Sequence, residues 1–524
     1  MKAATIRRFQ TVHTWTGLLA GFALFVAFYA GALTVFHDEI AAWQNPPWRA
    51  APDARVPVDA LIESLLAHHP ETRDDFGIVL PGGGHGAPYA FWQGKDGARF
   101  ATASQMDAPA ADAGGGNLAD FVYALHDSLG LPVVGLYLMG IVSVLYGLAL
   151  VSGFLIHLPQ LLSDLFALRA GRNLKRLWQD AHNAIGVLSL PFHVIFALTG
   201  AIFCLFAVTL LALNTVSFNG KLFGLFAQAV ATAPATKASG ATGAMLSPDQ
   251  LIARARVAAL AQGVSSFDPD YLHFVHYGDR NAVVEVRGLS QHTLGTYGTV
   301  ALSARDGSVL AAHVGAGQDA NGISWSALYA LHFGSFGGNT VRWLYFVLGL
   351  AGAFLFYSGN LLWVESRRKR RHADQPLRTR VMARATVGVC IGTCFGISGA
   401  FAAALACSHL GIDAALVQRL ACYGLFLAAC AWAFARPVAR AATELLGATA
   451  ALTIAVAMAD LLGNAGRWLQ PWTPATHAVL AVDLTGIALG LIFARLARAA
   501  LRRGRDGDPN SVWALPARAA AAAN

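Results

Sequence analysis

Residues 13–36 read HTWTGLLAGFALFVAFYAGALTVF, and residues 182–205 read HNAIGVLSLPFHVIFALTGAIFCL. Each stretch opens on a histidine, carries a glycine four residues later (Gly17, Gly186) and continues as an apolar run, with Gly31 and Gly200 at matching places. The offset is 182 − 13 = 169, and no gap is needed. A second pair aligns at 332 − 126 = 206, which carries Leu125-His126 onto Leu331-His332 and Ser152-Gly153 onto Ser358-Gly359. Four apolar segments therefore form two copies of one two-segment unit, with a histidine at the head of each segment. Apolar runs of about 20 residues cross a hydrocarbon core as helices. The expected fold is mainly α: a polytopic helical membrane protein built on an internal duplication.

Composition supports this class. Of 524 residues, 55% are hydrophobic and 13% charged, against roughly 25% charged in ordinary soluble chains. About eight spans are expected, at roughly 13–36, 133–157, 183–210, 338–364, 384–407, 414–435, 441–462 and 475–497. The net charge of +8 comes from clusters at Arg7-Arg8, Arg169 to Arg176, Arg367 to Arg371, Arg436 with Arg440, and Arg498 to Arg505. These recur after every second apolar run, the positive-inside pattern, which predicts cytoplasmic N- and C-termini. Basic clusters that flank spans also speak against a nucleic-acid partner. The run from Gly17 to Phe36 is long for a signal sequence and repeats in the interior, so it reads as an uncleaved first helix.

The segments then divide as 1–37 (span 1), 38–125 (first polar region), 126–213 (spans 2 and 3 with a basic loop), 214–331 (second polar region), 332–372 (span 4 and a basic segment), 373–505 (a four-span bundle) and 506–524 (a cytoplasmic tail). In the first polar region Pro57 to His68 reads as a helix, and Phe76–Leu80 and Tyr89–Gln93 as strands turned by Pro81-Gly82-Gly83-Gly84. In the second, a helix starts at Ser247 as cap. Strands are expected at Tyr271–Tyr277, Ala282–Arg287 and Thr299–Ala304, followed by a hairpin at Asp306-Gly307 into Ser308–Val314. Both polar regions fall on the outer side, as two small α+β domains.

The histidines carry the chemistry. His13 and His182 lie near the cytoplasmic ends of spans, and His126 and His332 near the outer ends. Parallel repeats pack about an axis along the membrane normal, which brings each duplicated pair face to face. Two neutral imidazoles on opposite sides of a porphyrin make a six-coordinate iron suited to electron transfer. One haem b is expected between His13 and His182 and a second between His126 and His332. No CxxCH motif occurs, so the haem would be noncovalent. Gly153 and Gly359 fall at the depth of the inner pair, and Gly31 and Gly200 at that of the outer pair. Glycine admits a flat macrocycle, although small residues also simply let membrane helices pack. His193, eleven residues after His182, returns to nearly the same helix face and is an alternative ligand, but its repeat counterpart is Leu24. A lone histidine at a membrane boundary is ordinarily a wet side chain; four at duplicated positions point elsewhere. His273 and His276 sit on opposite faces of a strand and make a poor metal site. The six cysteines lie in or beside apolar runs and read as packing residues. Asp483 falls inside a span, where a carboxylate is costly and suggests function; a wet helix interface is the other reading.

At these residues the chain resembles the PepSY-associated transmembrane family of bacterial inner membranes. The carriers are His13-x-Trp-x-Gly17, Leu125-His126-x-Ser-Leu, Trp178-x-Asp180-x-His182-x-x-x-Gly186, Thr199-Gly200, Leu331-His332-x-Gly334-x-x-Gly337-Gly338 and Ser358-Gly359-x-x-x-Trp363, over about residues 5–372. Ala30-Gly31 departs from the family's Thr-Gly. The resemblance implies periplasmic PepSY-like domains and an inner-membrane, haem-containing reductase. Such a protein would pass electrons to a ferric siderophore or other ferric chelate and release Fe(II) for uptake. No Rossmann fingerprint is present, so the electron donor would be quinol or a separate reductase. Outer-sphere transfer needs no catalytic acid or base, and none is expected. Two other classes stand beside this one: a non-enzymatic membrane protein that binds or regulates periplasmic peptides or proteases, and an ion-coupled transporter using Asp460 and Asp483.

Overall fold

The computed structural model of the protein describes residues 3–46, 56–81, 87–95, 97–106, 117–158, 174–290, 293–369, 371–372 and 374–515. The turn expected at residues 82–84, most of the basic cluster at 169–176 and the end of the 506–524 tail lie outside them.

Eight helices among the described residues are long and apolar enough to cross a membrane. The helices run α1 (Ala3–Thr34), α2 (His37–Gln44), α3 (Val58–His68), α4 (Leu118–Ser128), α5 (Val134–His157), α6 (Leu174–Leu188), α7 (Leu190–Val216), α8 (Leu222–Ala229), α9 (Pro248–Ala261), α10 (Ala320–Phe333), α11 (Gly338–Ser366), α12 (Leu377–Thr386), α13 (Gly392–Leu410), α14 (Ala414–Ala435), α15 (Val438–Gly463) and α16 (Pro474–Asp506). A π-helical turn, Val387–Ile391, joins α12 to α13 as one span. The spans are α1, α5, α7, α11, α12–α13, α14, α15 and α16. The third differs from expectation: it begins at Leu190, not 183, because Ser189 separates it from α6. Pro191 follows at once, lacking an N–H and suited to a first helical turn. His182 therefore sits on α6, ahead of the span.

The chain forms two compact units: residues 1–44, 116–205 and 346–524, and residues 45–115 and 206–345. The first unit holds the helical bundle. Its last four spans are tied to the rest through side chains that follow α1. Trp43 Nε1 donates to Asp483 Oδ1 (2.8 Å), Ser408 Oγ donates to the Gln44 carbonyl (2.9 Å), and Gln44 Oε1 accepts from the Leu118 amide (2.6 Å). Asp483, buried inside a span, thus serves as an acceptor between helices.

The second unit contains one seven-stranded antiparallel sheet in the order β3-β2-β1-β4-β5-β6-β7. Its strands are β1 (Asp75–Val79), β2 (Tyr89–Gly94), β3 (Gly97–Ala101), β4 (Phe267–Val275), β5 (Val283–Ser290), β6 (Tyr297–Ser303) and β7 (Val309–His313). The two α+β halves share this sheet: β1 of the first pairs with β4 of the second from Asp75↔Val275 to Val79↔Tyr271. Alternation sorts the faces. Phe76, Ile78, Leu272, Phe274, Val284, Val286, Val300 and Leu302 pack with Leu61, Ile62 and Leu65 of α3 and Leu251, Ala255 and Ala259 of α9. A capping box at Ser247 and Gln250, with Pro248 in the first turn, starts α9.

The opposite face carries Tyr271, His273, Glu285 and Arg287. Tyr271 lies across Gly77, where a Cβ would fall 2.0 Å from its hydroxyl, so a side chain there would force the Tyr271 ring to move. His273 joins the halves: Nδ1 is 2.8 Å from Glu285 Oε2 on β5, and Nε2 is 3.1 Å from Asp75 Oδ1 on β1. The Glu285 bond, aided by Asp75 and working against burial, raises its pKa above the usual histidine value. The stabilisation from this raised pKa is complete below the ordinary value of about 6.5 and is lost as pH rises through the raised one. The melting temperature of the purified protein is expected to fall more between pH ~6 and pH ~9 in wild type than in His273→Gln. Equal pH dependence in the two would show that the link carries no stability.

Candidate functional site: a duplicated histidine pair

His13 lies on α1 and His182 on α6, both in the first unit. Their ring centres are 6.2 Å apart with planes at 81°. The duplicated pair is thus brought together.

Each ring is held in the same way. His13 Nδ1 lies 2.9 Å from the Ala149 carbonyl on α5, and His182 Nδ1 lies 3.1 Å from the Leu355 carbonyl on α11. A carbonyl only accepts, so Nδ1 carries the proton and Nε2 keeps its lone pair. Each carbonyl belongs to the residue four before a glycine, Gly153 and Gly359. Residues four apart stack on one helix face, so a ring reaching the carbonyl of one passes over the Cβ position of the other. A Cβ on Gly153 would lie 2.9 Å from His13 Cε1, and one on Gly359 would lie 3.4 Å from His182 Cε1. At Gly153 the nearer edge is Nδ1–Cε1, with Nε2 at 3.9 Å. Neither Nε2 makes a hydrogen bond to a described residue.

The pattern occurs a third time. His126, in the last turn of α4, places Nδ1 2.7 Å from the Ala27 carbonyl, and a Cβ on Gly31 would fall 2.6 Å from that nitrogen. Burial lowers the pKa of His126 against the opposing effect of the Ala27 bond, which favours the neutral ring. Nearby, His37 bonds to Asp120 at 2.9 Å and links α2 to α4; burial opposes its charge, but Asp120 and Asp38 outweigh it and raise its pKa to about 9. His332 belongs to the second unit, in the last turn of α10, with its ring edge-on to Phe333 at 5.2 Å. Gly200 faces α5, where its Cβ would meet Ser143 Oγ at 2.8 Å.

His193 is arranged differently. It is fully buried, with Tyr146 Oη 2.6 Å from Nδ1 and Ser189 Oγ 2.9 Å from Nε2. Ser189 gives its proton to the Ile185 carbonyl, so it accepts from Nε2–H, and Tyr146 donates to the remaining lone pair. Phe28, Phe192 and Tyr146 surround the ring. Both nitrogens are taken up by the protein, so in this arrangement His193 acts as a core hydrogen-bonding residue, in place of the alternative ligand role expected above. Its tautomer is opposite to that of the other three.

The repeat does not reveal the roles of two partners of this site. Ser358 Oγ lies 3.1 Å from His182 Nδ1 while donating to Leu355; its repeat partner Ser152 bonds only to its own helix, at Leu148 and Ala149. Tyr146 could not be found from the repeat, since the counterpart of His193 is Leu24.

Among the described residues no group of three or more His, Cys, Asp or Glu forms a metal cage. Two imidazoles cannot satisfy a free transition-metal ion, but they fit one that brings its own four equatorial nitrogens. Two such ligands bonded at ~2.0 Å from opposite sides place their ring centres about 6 Å apart. The donor set, its fixed tautomer and its ring-centre spacing are those of residues that could hold a haem.

The chain is 27% identical over 281 residues to a Pseudomonas aeruginosa protein described as "Uncharacterized protein PA4219", a match covering 52% of this chain and 69% of that one. The family described as PepSY-associated TM region matches residues 10–366, which include all four duplicated histidines and stop before the last four spans. The chain belongs to the PepSY-associated transmembrane family.

Proposed function

We propose that this membrane protein transfers single electrons to a ferric chelate, such as a ferric siderophore, and so releases Fe(II). The observation that carries the reading is the His13–His182 pair, with rings 6.2 Å apart and each Nδ1 bonded to a carbonyl. Haem bound there would supply a one-electron Fe(III)/Fe(II) couple. His13 and His182 would hold it through Nε2. The carbonyls of Ala149 and Leu355 fix the tautomer and orientation of the rings, the usual task of partners behind a metal-bound histidine. Gly153 and Gly359 leave room for the rings to reach those carbonyls. His126 repeats the Nδ1–carbonyl arrangement of the pair. The basic clusters beside the spans favour a bacterial inner membrane with cytoplasmic termini. That placement puts the inner pair near the electron donor, either quinol or a separate reductase.

The test is the visible spectrum of the full-length protein from haem-replete cells, before and after dithionite. A sharp reduced α-band of low-spin, bis-imidazole haem is expected. A colourless protein rejects the reading.

A further inference from the structure

We propose that Trp178 and Arg503 receive the carboxylate arms of the porphyrin held by His13 and His182. The last of the eight spans would then complete a site that the family's own segment begins. This rests on the reading above and adds a role for residues outside the family match.

Trp178 precedes His182 by four residues on α6, a rise of ~6 Å and a turn of ~40°, so both occupy nearly one face. Its indole Nε1 is buried and donates to no described residue. A buried donor left unmet costs about 1–3 kcal/mol, so the position calls for an acceptor. Arg503, near the end of α16, lies with its guanidinium 6.0 Å from the Trp178 ring centre and 5.6 Å from that of Trp513. Its Nη2 donates to Glu365 Oε1 at 3.2 Å, and its other nitrogens have no hydrogen-bond partner among the described residues. Glu365 is itself held by Trp513 Nε1 at 3.0 Å and by Arg368 at 3.6 Å, and Arg368 reaches Asp508 at 2.6 Å. Two arginines balance two carboxylates in this network, so it presents no net negative charge to an arriving anion. The remaining donors of Arg503 offer the planar fork that suits a carboxylate.

The chemistry of the occupant follows from the porphyrin. Both of its acidic arms leave one edge, and charge is costly in the hydrocarbon core. That edge therefore turns toward the helix end nearer water. For a porphyrin on His182 this is the start of α6, where Trp178 lies. A phosphate headgroup of an anionic lipid shares this chemistry and is separated by the experiment.

Full-length protein made without haem, in nanodiscs of zwitterionic lipid, is titrated with iron protoporphyrin IX and with its dimethyl ester, which lacks free carboxylates. Wild type is expected to bind the free acid about tenfold or more tightly than the ester. Trp178→Phe, which keeps a packing ring but removes the N–H, is expected to lose about tenfold for the free acid and nothing for the ester. Arg503→Lys keeps the charge opposite Glu365 and is expected to show a smaller loss of the same kind. Equal losses for both porphyrins, or none for either, overturn the inference while leaving the histidine site intact. A restored wild-type preference only on adding anionic lipid also overturns it and assigns the donors to a lipid phosphate. If wild type takes up neither porphyrin, the reading under Proposed function fails, and this one with it.

Discussion

Purified His182→Ala is expected to lose the reduced α-band of one haem completely, and His13→Ala the same band. Loss of a ligand removes a coordination bond, and His193, the nearest histidine to His182 by sequence, has both its nitrogens engaged. By contrast, Ser358→Ala deletes only one of the two acceptors near His182 Nδ1. Changes of this kind behind a ligand typically cost about 10–100-fold in metal affinity or activity, so that variant keeps its band and shows a weaker or shifted couple. His193→Phe separates the roles further. It leaves the buried Tyr146 hydroxyl without its acceptor, a cost of about 1–3 kcal/mol, and so lowers the melting temperature while retaining the band. Retention of all bands in both His13→Ala and His182→Ala would show that the pair holds no haem.

Gly31→Val and Gly153→Val should be nearly as damaging, although neither residue has a functional group. In each, a new Cβ lands under 3 Å from an imidazole atom, 2.6 Å at Gly31 and 2.9 Å at Gly153. The ring must leave the carbonyl that orients it, or the helices must part. Overpacking of this kind costs about 1–3 kcal/mol, and displacement of the ring removes the ligand as well. Gly359→Ala meets His182 at 3.4 Å, an ordinary contact, and is expected to be mild. Gly147→Ala, with nothing nearer than 4.0 Å, serves as the control. Haem content per protein in the four variants tests the order: Gly147→Ala highest, then Gly359→Ala, with the two valines lowest. A uniform loss across all four would point to general helix packing and away from the imidazole seats.

Much of the bundle was legible because a span announces itself by length and apolarity alone, and the duplicated histidines because a repeat needs only alignment. The start of the third span was not, since Ser189 and Pro191 divide an apolar run whose composition does not change. The short strand β3 was missed; Gly97 and Arg99 in five residues mask its alternation. Pairing of β1 with β4 was also hidden, because alternation tells which face a residue takes and says nothing about the neighbouring strand. At the site, the histidines and three glycines could be read, but the groups that hold the rings are main-chain carbonyls, which have no letter of their own. The opposite tautomer of His193 depends on Tyr146 and Ser189, and only the tertiary fold brings Tyr146 to it.

The shared sheet has a consequence for how the chain is made. Asp75 finds its partner Val275 only after 275 − 75 = 200 further residues have been synthesised. Until then the first half waits with β1 as an open edge, able to pair with a stranger. Contacts this distant in sequence form slowly, and incomplete halves are prone to aggregate. A gene cut between the copies, or a ribosome stalled there, would leave an orphaned strand. Neither half of the chain completes that sheet by itself.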